Sequence, residues 1–459
     1  MNEKRKYYQE KAKQQQNIFE ISPIVVILFL SFFIFTVTGA GNITIISCIG
    51  VLLCMVGVIQ SSVKVDLWIF IPLVIYIIIS FISGYRIYGS TISGIAATQS
   101  VFPIVYLLIA YLSEVERLFL KRLCAFWIGM MACIGIIQFM ITVYSNSASR
   151  LSGIMGNPNA MGAVMVLGWF ALQSCLIDLK NQTSIQKRVL QALEFMVLIA
   201  LALTLSFGAF GALGLGIIVM HVYGKESFSS FINKVVEVIF ACGCGVLLYI
   251  AGDLACSFWL CILLTMYIII ASFYRDMMKM YFKDRKWLCC LICFIGVVGA
   301  SLLLYLRPNA MATCMERFAM IKNGLTYLGE NPLLGVGPYQ WRLLNLYDSD
   351  PYFNTWHIHN VFVHIGVELG YIALAMLIIA TLRHFFKKED PAQRGMFFAS
   401  VIHNMMDTSF FYIATIPFLM MCCGTDERKL HSLNGMVATC IFCGFAILFV
   451  WNMIQCLMR

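Results

Sequence analysis

Runs of apolar residues long enough to cross a bilayer follow one another along this chain with short polar breaks between them. They read as spans at about 22–39, 43–61, 67–84, 91–112, 123–144, 159–177, 189–206, 209–223, 235–252, 255–274, 287–306, 360–381, 395–409, 411–424 and 436–457. A helix needs roughly 20 predominantly apolar residues to cross the hydrocarbon core. Within that core every backbone N–H and C=O must be satisfied inside the segment. The runs are rich in Leu, Ile, Phe, Met and Gly and show no sustained alternation, which favours helices over a barrel of short alternating strands. The expected fold is therefore an all-α, polytopic transmembrane helical bundle of about 13–15 spans, the uncertainty lying at 395–424, where two short runs read equally well as one broken hairpin. Charged residues make up only 12% of the chain, against about 25% in soluble domains. Almost nothing is left for a water-soluble domain.

The placement of charge matters more than its net value of +9, and it argues for topology rather than nucleic-acid binding. With a cytoplasmic N-terminus, alternation of the spans puts twenty-five of the 32 Lys and Arg residues on the inner side, as the positive-inside rule requires. The outer side keeps Arg86, Arg150, Arg307, Arg317, Lys322 and Arg342, with Arg459 at the far end. The polar start through Glu20 is longer than a signal-peptide n-region, and no small-residue cleavage site follows the first apolar run, so that run reads as a retained span. Cysteines such as Cys242, Cys244, Cys289, Cys290 and Cys293 lie within apolar runs and read as small packing residues; no Cys-x-x-Cys pair with a His partner suggests zinc. The chain divides into a basic cytoplasmic tail (1–20), N-terminal spans (21–306), one long outer loop (307–358) and C-terminal spans (359–459). Within the loop, Phe318, Ile321, Leu325 and Leu328 have the spacing of a helix lying on the membrane surface.

Three clusters carry candidate chemistry. The first runs from Ser149 through Arg150, Gly153 and Asn157 to Asn159 on the outer side; Arg150 reads either as a phosphate ligand or as a snorkelling interface residue. The second begins at Glu316-Arg317 and ends in Asn331-Pro332-Leu333-Leu334-Gly335-Val336-Gly337. A guanidinium forks onto two phosphate oxygens, so Arg317 suits a diphosphate, with Lys322 beside it; the plain alternative is pairing of Arg317 with Glu316 or lipid headgroups. The third is His357-Ile358-His359-Asn360 followed by His364, Glu368 and Gly370. Histidine titrates nearest neutrality and accepts protons readily, and His364 and Glu368, four apart, share a helical face; otherwise these are interface histidines that pack and hydrogen-bond. Asp348-Ser349-Asp350 resembles a metal-holding acidic pair but reads as solvated loop. His403 and Asp407, also four apart, form a buried polar pair or a functional one.

At these three clusters the chain resembles the O-antigen ligase and O-antigen polymerase (Wzy/WaaL-type) family. The resemblance rests on Arg150, Gly153, Asn157 and Asn159; on Arg317 with Asn331 to Gly337; and on His359, Asn360, Glu368, Gly370 and Ala373. It covers about 150–375 and is most specific over 313–373. One departure is plain: where the family has a Ser-Arg-Gly, this chain has Ser206-Phe207-Gly208, so one anion contact falls to another residue, with Arg307, Lys322 and Arg342 the candidates.

The resemblance implies a GT-C-like membrane glycosyltransferase of the bacterial cytoplasmic membrane, with its active face extracytoplasmic. The implied reaction is polymerisation of undecaprenyl-diphosphate-linked oligosaccharide repeat units into a surface polysaccharide, by inverting transfer without metal or cofactor. His359 is then the base, oriented by Asn360 or Glu368; Arg150 and Arg317 cradle the diphosphate; Lys322, Asn159 and His357 help to bind substrate. Partners are the lipid-linked glycan donor, the glycan acceptor and the bilayer, with a chain-length regulator or flippase expected by resemblance. Ile, Lys and Cys usage typical of low-GC Gram-positive bacteria favours a polymerase. A ligase that moves a finished chain to another anchor, a lipid-linked glycan transporter and a non-catalytic family member are the alternatives.

Overall fold

The structure, a computed structural model, describes residues 22–38, 42–59, 63–145, 149–178, 185–254, 257–273, single helical positions between 287 and 299, 310–347, 355–385, 390–411 and 430–458. Most of the expected spans at 287–306 and 411–424 lie outside them, as do the N-terminal tail, Arg307, Asp348 and Asp350.

The expected runs become helices α1 (Pro23–Thr38), α2 (Ile43–Val58), α3 (Leu67–Tyr88), α4 (Phe102–Tyr111), α5 (Glu114–Tyr144), α6 (Pro158–Asp178), α7 (Ile185–Thr204), α8 (Phe207–Gly224), α9 (Phe228–Tyr249) and α10 (Phe258–Phe273). The loop contributes α11 (Ala310–Glu330) and α12 (Gln340–Tyr347), and the C-terminal part α13 (Val361–Phe385), α14 (Pro391–Met406) and α15 (Gly435–Leu457). Seven of these helices are long and apolar enough to cross a membrane, which makes this a membrane-embedded, all-helical protein. The sheet among the described residues is a single antiparallel pair, β1 (Val63–Val65) with β2 (His431–Leu433).

Lipid supplies no hydrophobic drive between helices, so close packing rests on small residues and buried polar contacts. On α2, a Cβ at Gly50 would meet the ring of Phe449 at 2.6 Å and one at Gly57 the ring of Phe442 at 2.3 Å, which seats α15 on α2. Gly216 and Gly395 bring α8 and α14 together backbone to backbone. At the centre stands α7, buried at every position from Val197 to Thr204. Its Glu194 accepts hydrogen bonds from Trp169 Nε1 (3.0 Å) and from Gln173 Nε2.

The expected span at 91–112 takes a different form. After α3 ends on Gly89 in the left-handed conformation, two short 3₁₀ turns (Thr91–Ser93 and Ile95–Ala97) precede the ten-residue α4. Gly84 and Gly94 touch backbone to backbone, and Ser80 Oγ accepts from Ala96 N at 2.8 Å. All positions of α4 from Phe102 to Ala110 are buried. The hydrophobicity of this stretch comes from burial within protein rather than from facing lipid.

Polar contacts collect at the two ends of the bundle. At one end Arg383 Nε donates to Asp66 Oδ2 (2.9 Å), and Lys121 Nζ lies 3.6 Å from Asp390 Oδ2. At the other end, where the 310–347 segment sits, Tyr88 donates its hydroxyl to Pro338 O (2.9 Å) and receives Gln340 Nε2 (2.9 Å).

Candidate functional site

The loop end is built on a break in α13. At Gly370 the backbone leaves helical geometry (φ 80°, ψ 178°), a region essentially reserved for glycine. The break frees backbone groups, which the Asn331–Gly337 segment satisfies. Val336 N donates to Val367 O (2.9 Å), Gly337 N to Glu368 O (3.0 Å), and Tyr371 N to Pro332 O (2.7 Å). The approach is so close that a Cβ at Gly370 would lie 2.1 Å from Leu333 O, and one at Gly335 (φ 65°) 2.4 Å from Glu368 C. The glycine-rich motif is therefore a backbone dock. It holds α11, which ends one residue before it, against α13.

On this scaffold Arg317 and His359 converge on one carboxylate. Arg317 of α11 donates through Nη1 to Met406 O (2.6 Å) and lies 3.2 Å from Asp407 Oδ2 through Nη2. His359 Nδ1 lies 3.4 Å from Asp407 Oδ1. Arg317 Nε is buried with no partner among the described residues. Asp407 reaches both because α14 stops at Met406 and the next residue is extended (φ −156°, ψ −170°). His403 and Asp407, expected as a buried polar pair or a functional one, are both buried, but the helix ends between them. His403 Nδ1 instead meets Ser409 Oγ (3.0 Å), and Asn404 Oδ1 accepts from Phe410 N (2.6 Å) and Ser409 Oγ (3.1 Å). These contacts fix the turn that carries Asp407.

The expected orienting residues do other work. Asn360 Oδ1 accepts from Val363 N (3.1 Å) and so caps α13, as Asn does well, while its Nδ2 donates to Met405 O (3.1 Å). It joins the start of α13 to the end of α14. Glu368 pairs with His364, as the i, i+4 spacing indicates, at 3.5 Å with both side chains fully buried. His357 Nδ1 sits 3.1 Å from His364 Nε2 and stacks on Phe411 with 4.5 Å between ring centroids. Burial, reinforced by the neighbouring His359, pushes the His357 imidazole down to about 4. The half-buried His357 thus leads to the fully buried His364 and Glu368, and the carboxylate that His359 meets is that of Asp407.

Arg150 is held at the junction of α7 and α8. Its Nε donates to Thr204 O (2.9 Å) and its Nη2 to Asn159 Oδ1 (3.0 Å), which brings two residues of the first cluster together. Asn157 Oδ1 accepts from Asn159 N (2.8 Å) and Ala160 N (3.2 Å) at the start of α6. Two residues past Thr204, Ser206 caps α8 and Phe207 begins it. A Cβ at Gly208 would lie 3.8 Å from His403 and Met406. The first turn of α8, which Phe207 begins, therefore lies beside His403 and Met406, next to the turn that carries Asp407.

Lys322 is exposed and does not join this group. The expected apolar face of α11 also splits. Met320, Tyr327 and Leu328, with Ile321 packed on them, turn toward α13. Met311, Met315, Phe318 and Leu325 form an exposed stripe on the other side, with Lys322 between them. Of the residues considered in place of the family's missing Arg, Arg342 stacks its guanidinium 3.8 Å from the centroid of Trp356. Trp356 is the residue of interest here that sequence reasoning passed over; Asp407 was singled out with His403, and what spacing did not show is its meeting with Arg317 and His359.

The fold and this end of the bundle define a membrane-embedded helical protein with a cationic and imidazole site joined by one carboxylate. No protein-family model matches the chain, and no curated protein matches it either.

Proposed function

We propose that this protein is a lipid-linked glycan transferase, and specifically a polymerase of undecaprenyl-diphosphate-linked repeat units working on the outer face of a bacterial cytoplasmic membrane. The observation that carries the reading is the convergence of Arg317 and His359 on Asp407. The acceptor hydroxyl oxygen attacks the anomeric carbon of the donor sugar, and its proton passes to His359. The bond from that carbon to the phosphate oxygen breaks, and the electron pair leaves with the undecaprenyl diphosphate. One displacement inverts the anomeric centre.

Such a reaction needs a base of suitable basicity and positive charge where the leaving group becomes anionic. Asp407 supports His359 as it takes up the proton. Arg317 and Arg150 meet the diphosphate. The exposed stripe Met311–Met315–Phe318–Leu325 suits a helix resting on the membrane surface, where a lipid-linked donor arrives.

The test is the glycan size profile of a deletion strain complemented with wild type or with His359→Ala. A ladder that collapses to single repeat units and returns only with wild type is the expected result. Long chains that persist without their anchor indicate a ligase. Full restoration by His359→Ala refutes the catalytic reading.

A further inference from the structure

Trp356 lies in the short segment that enters the third cluster, and its side chain is 59% exposed. It is nevertheless held firmly in place. The Arg342 guanidinium covers one face at 3.8 Å from the ring centroid, and the Tyr339 ring stands perpendicular to it, at 88° with centroids 6.4 Å apart. Tyr339 itself adopts φ 60°, an uncommon conformation for a bulky residue, immediately after the Gly335–Gly337 dock. The dock thus presents Tyr339, Tyr339 and Arg342 brace Trp356, and the indole keeps an open surface.

We infer that Trp356, braced by Arg342 and Tyr339, is a stacking subsite for a pyranose ring of the acceptor glycan. The chemistry suits that ligand. A pyranose has a face of C–H groups, slightly positive and apolar, which packs on the negative face of an aromatic ring. Its hydroxyls point outward at the edge, toward solvent and polar neighbours. Trp offers the largest such face, and a guanidinium held behind it fixes the ring. The position suits it as well. Trp356 precedes His359 by three residues, so the chain separates them by no more than about 11 Å, a span that a short run of sugar rings bridges. A ring on Trp356 would hold the acceptor with its terminal hydroxyl within reach of His359.

This inference rests on the proposed glycan transfer, and the experiment separates the two. Lipid-linked oligosaccharide is extracted from the deletion strain, and the oligosaccharide is released from its carrier so that it lacks the diphosphate. Its binding to the detergent-purified full chain is measured by calorimetry for wild type, Trp356→Ala, Trp356→Phe and Arg317→Lys. Transfer from the intact lipid-linked donor is measured beside it.

Trp356→Ala should weaken oligosaccharide binding by about tenfold, equivalent to about 1.4 kcal/mol, and raise the acceptor KM with little change in kcat. Trp356→Phe, which keeps a flat ring, should retain most of the affinity and controls for misfolding. Arg317→Lys should bind the released oligosaccharide as wild type does. Wild-type affinity in Trp356→Ala, with transfer intact, overturns the subsite and leaves the transferase reading standing. Unchanged glycan affinity with impaired reconstitution into vesicles makes Trp356 an interface anchor and overturns it equally. A wild-type chain that neither binds the oligosaccharide nor transfers it overturns both.

Discussion

Asp407→Asn removes one charge and almost no volume, so it isolates what the carboxylate does for His359 and Arg317. The magnitude follows from the geometry. At the 3.4 Å between His359 Nδ1 and Asp407 Oδ1, Coulomb attraction for an imidazolium–carboxylate pair is about 5 kcal/mol at an effective dielectric of about 20, and about 1 kcal/mol in bulk water. The side chains are 26% and 8% exposed, which places the pair between these limits, at roughly 2–3 kcal/mol. Losing that support as the imidazole takes up the acceptor proton should slow transfer by about two orders of magnitude. The assay is single-turnover transfer from purified lipid-linked oligosaccharide at saturating donor, with thermal unfolding of the same preparation to show that the helices remain packed. The double variant with His359→Ala should be no slower than His359→Ala alone, since residues that act as a unit are not additive. A rate for Asp407→Asn within about twofold of wild type, or fully additive losses in the double variant, would refute the argument.

His359→Ala should cut transfer to a small residual rate while leaving insertion and purified yield unchanged, as read from membrane fractionation beside the rate. Arg317→Lys should lose most of its rate, because one ammonium cannot span Met406 O and Asp407 Oδ2 as the guanidinium does; equal rates would remove the fork from the mechanism. Gly370→Ala should lower stability by about 3 kcal/mol or more, since its Cβ would meet Leu333 O at 2.1 Å; an unaltered melting temperature in detergent would contradict the dock. The half-buried His357, pushed down to about 4, binds fewer protons folded than unfolded, where the ordinary value is about 6.5. Its contribution is therefore complete above about pH 6.5 and is lost as the pH falls toward 4. Melting temperature should decline over that window in wild type and decline less in His357→Gln.

Much of the fold could be read from the sequence because length and apolarity alone set a membrane helix, and the helices at 23–38, 43–58, 158–178 and 435–457 fall where the runs do. The stretch 91–112 could not be read that way: a run buried on all sides by protein has the same composition as one facing lipid. The same ambiguity split the face of α11, where Ile321 and Leu328 pack inward and Phe318 and Leu325 face out. In the site, local spacing served well where it stayed within one helix, as for His364 with Glu368. It failed for Asp407, because the four-residue interval to His403 means a shared face only while the helix continues. The chain turns extended at Asp407 itself, and its partners lie some 50 and 90 positions upstream, at separations no periodicity encodes.

The residues with no chemistry of their own explain how the site holds together. A helix break in a membrane is tolerable only where other groups satisfy the freed backbone, and at Gly370 the partner is the Asn331–Gly337 segment rather than water or a side chain. That pairing fixes the end of α11 relative to α13, and with it the reach of Arg317 toward the residues before Val361. Asn360 then links the start of α13 to the end of α14 through Met405 O, and the turn after Met406 presents Asp407 between the two. The joint at Gly370 is made by backbone atoms on both sides, so an added methyl at Gly335 or Gly370 disturbs it directly, while the joint at Asn360 depends on that side chain's amide. A motif of Asn, Pro, Leu, Val and Gly can therefore matter to the proposed transfer as much as the histidine, by setting the distance over which Arg317, Asp407 and His359 meet.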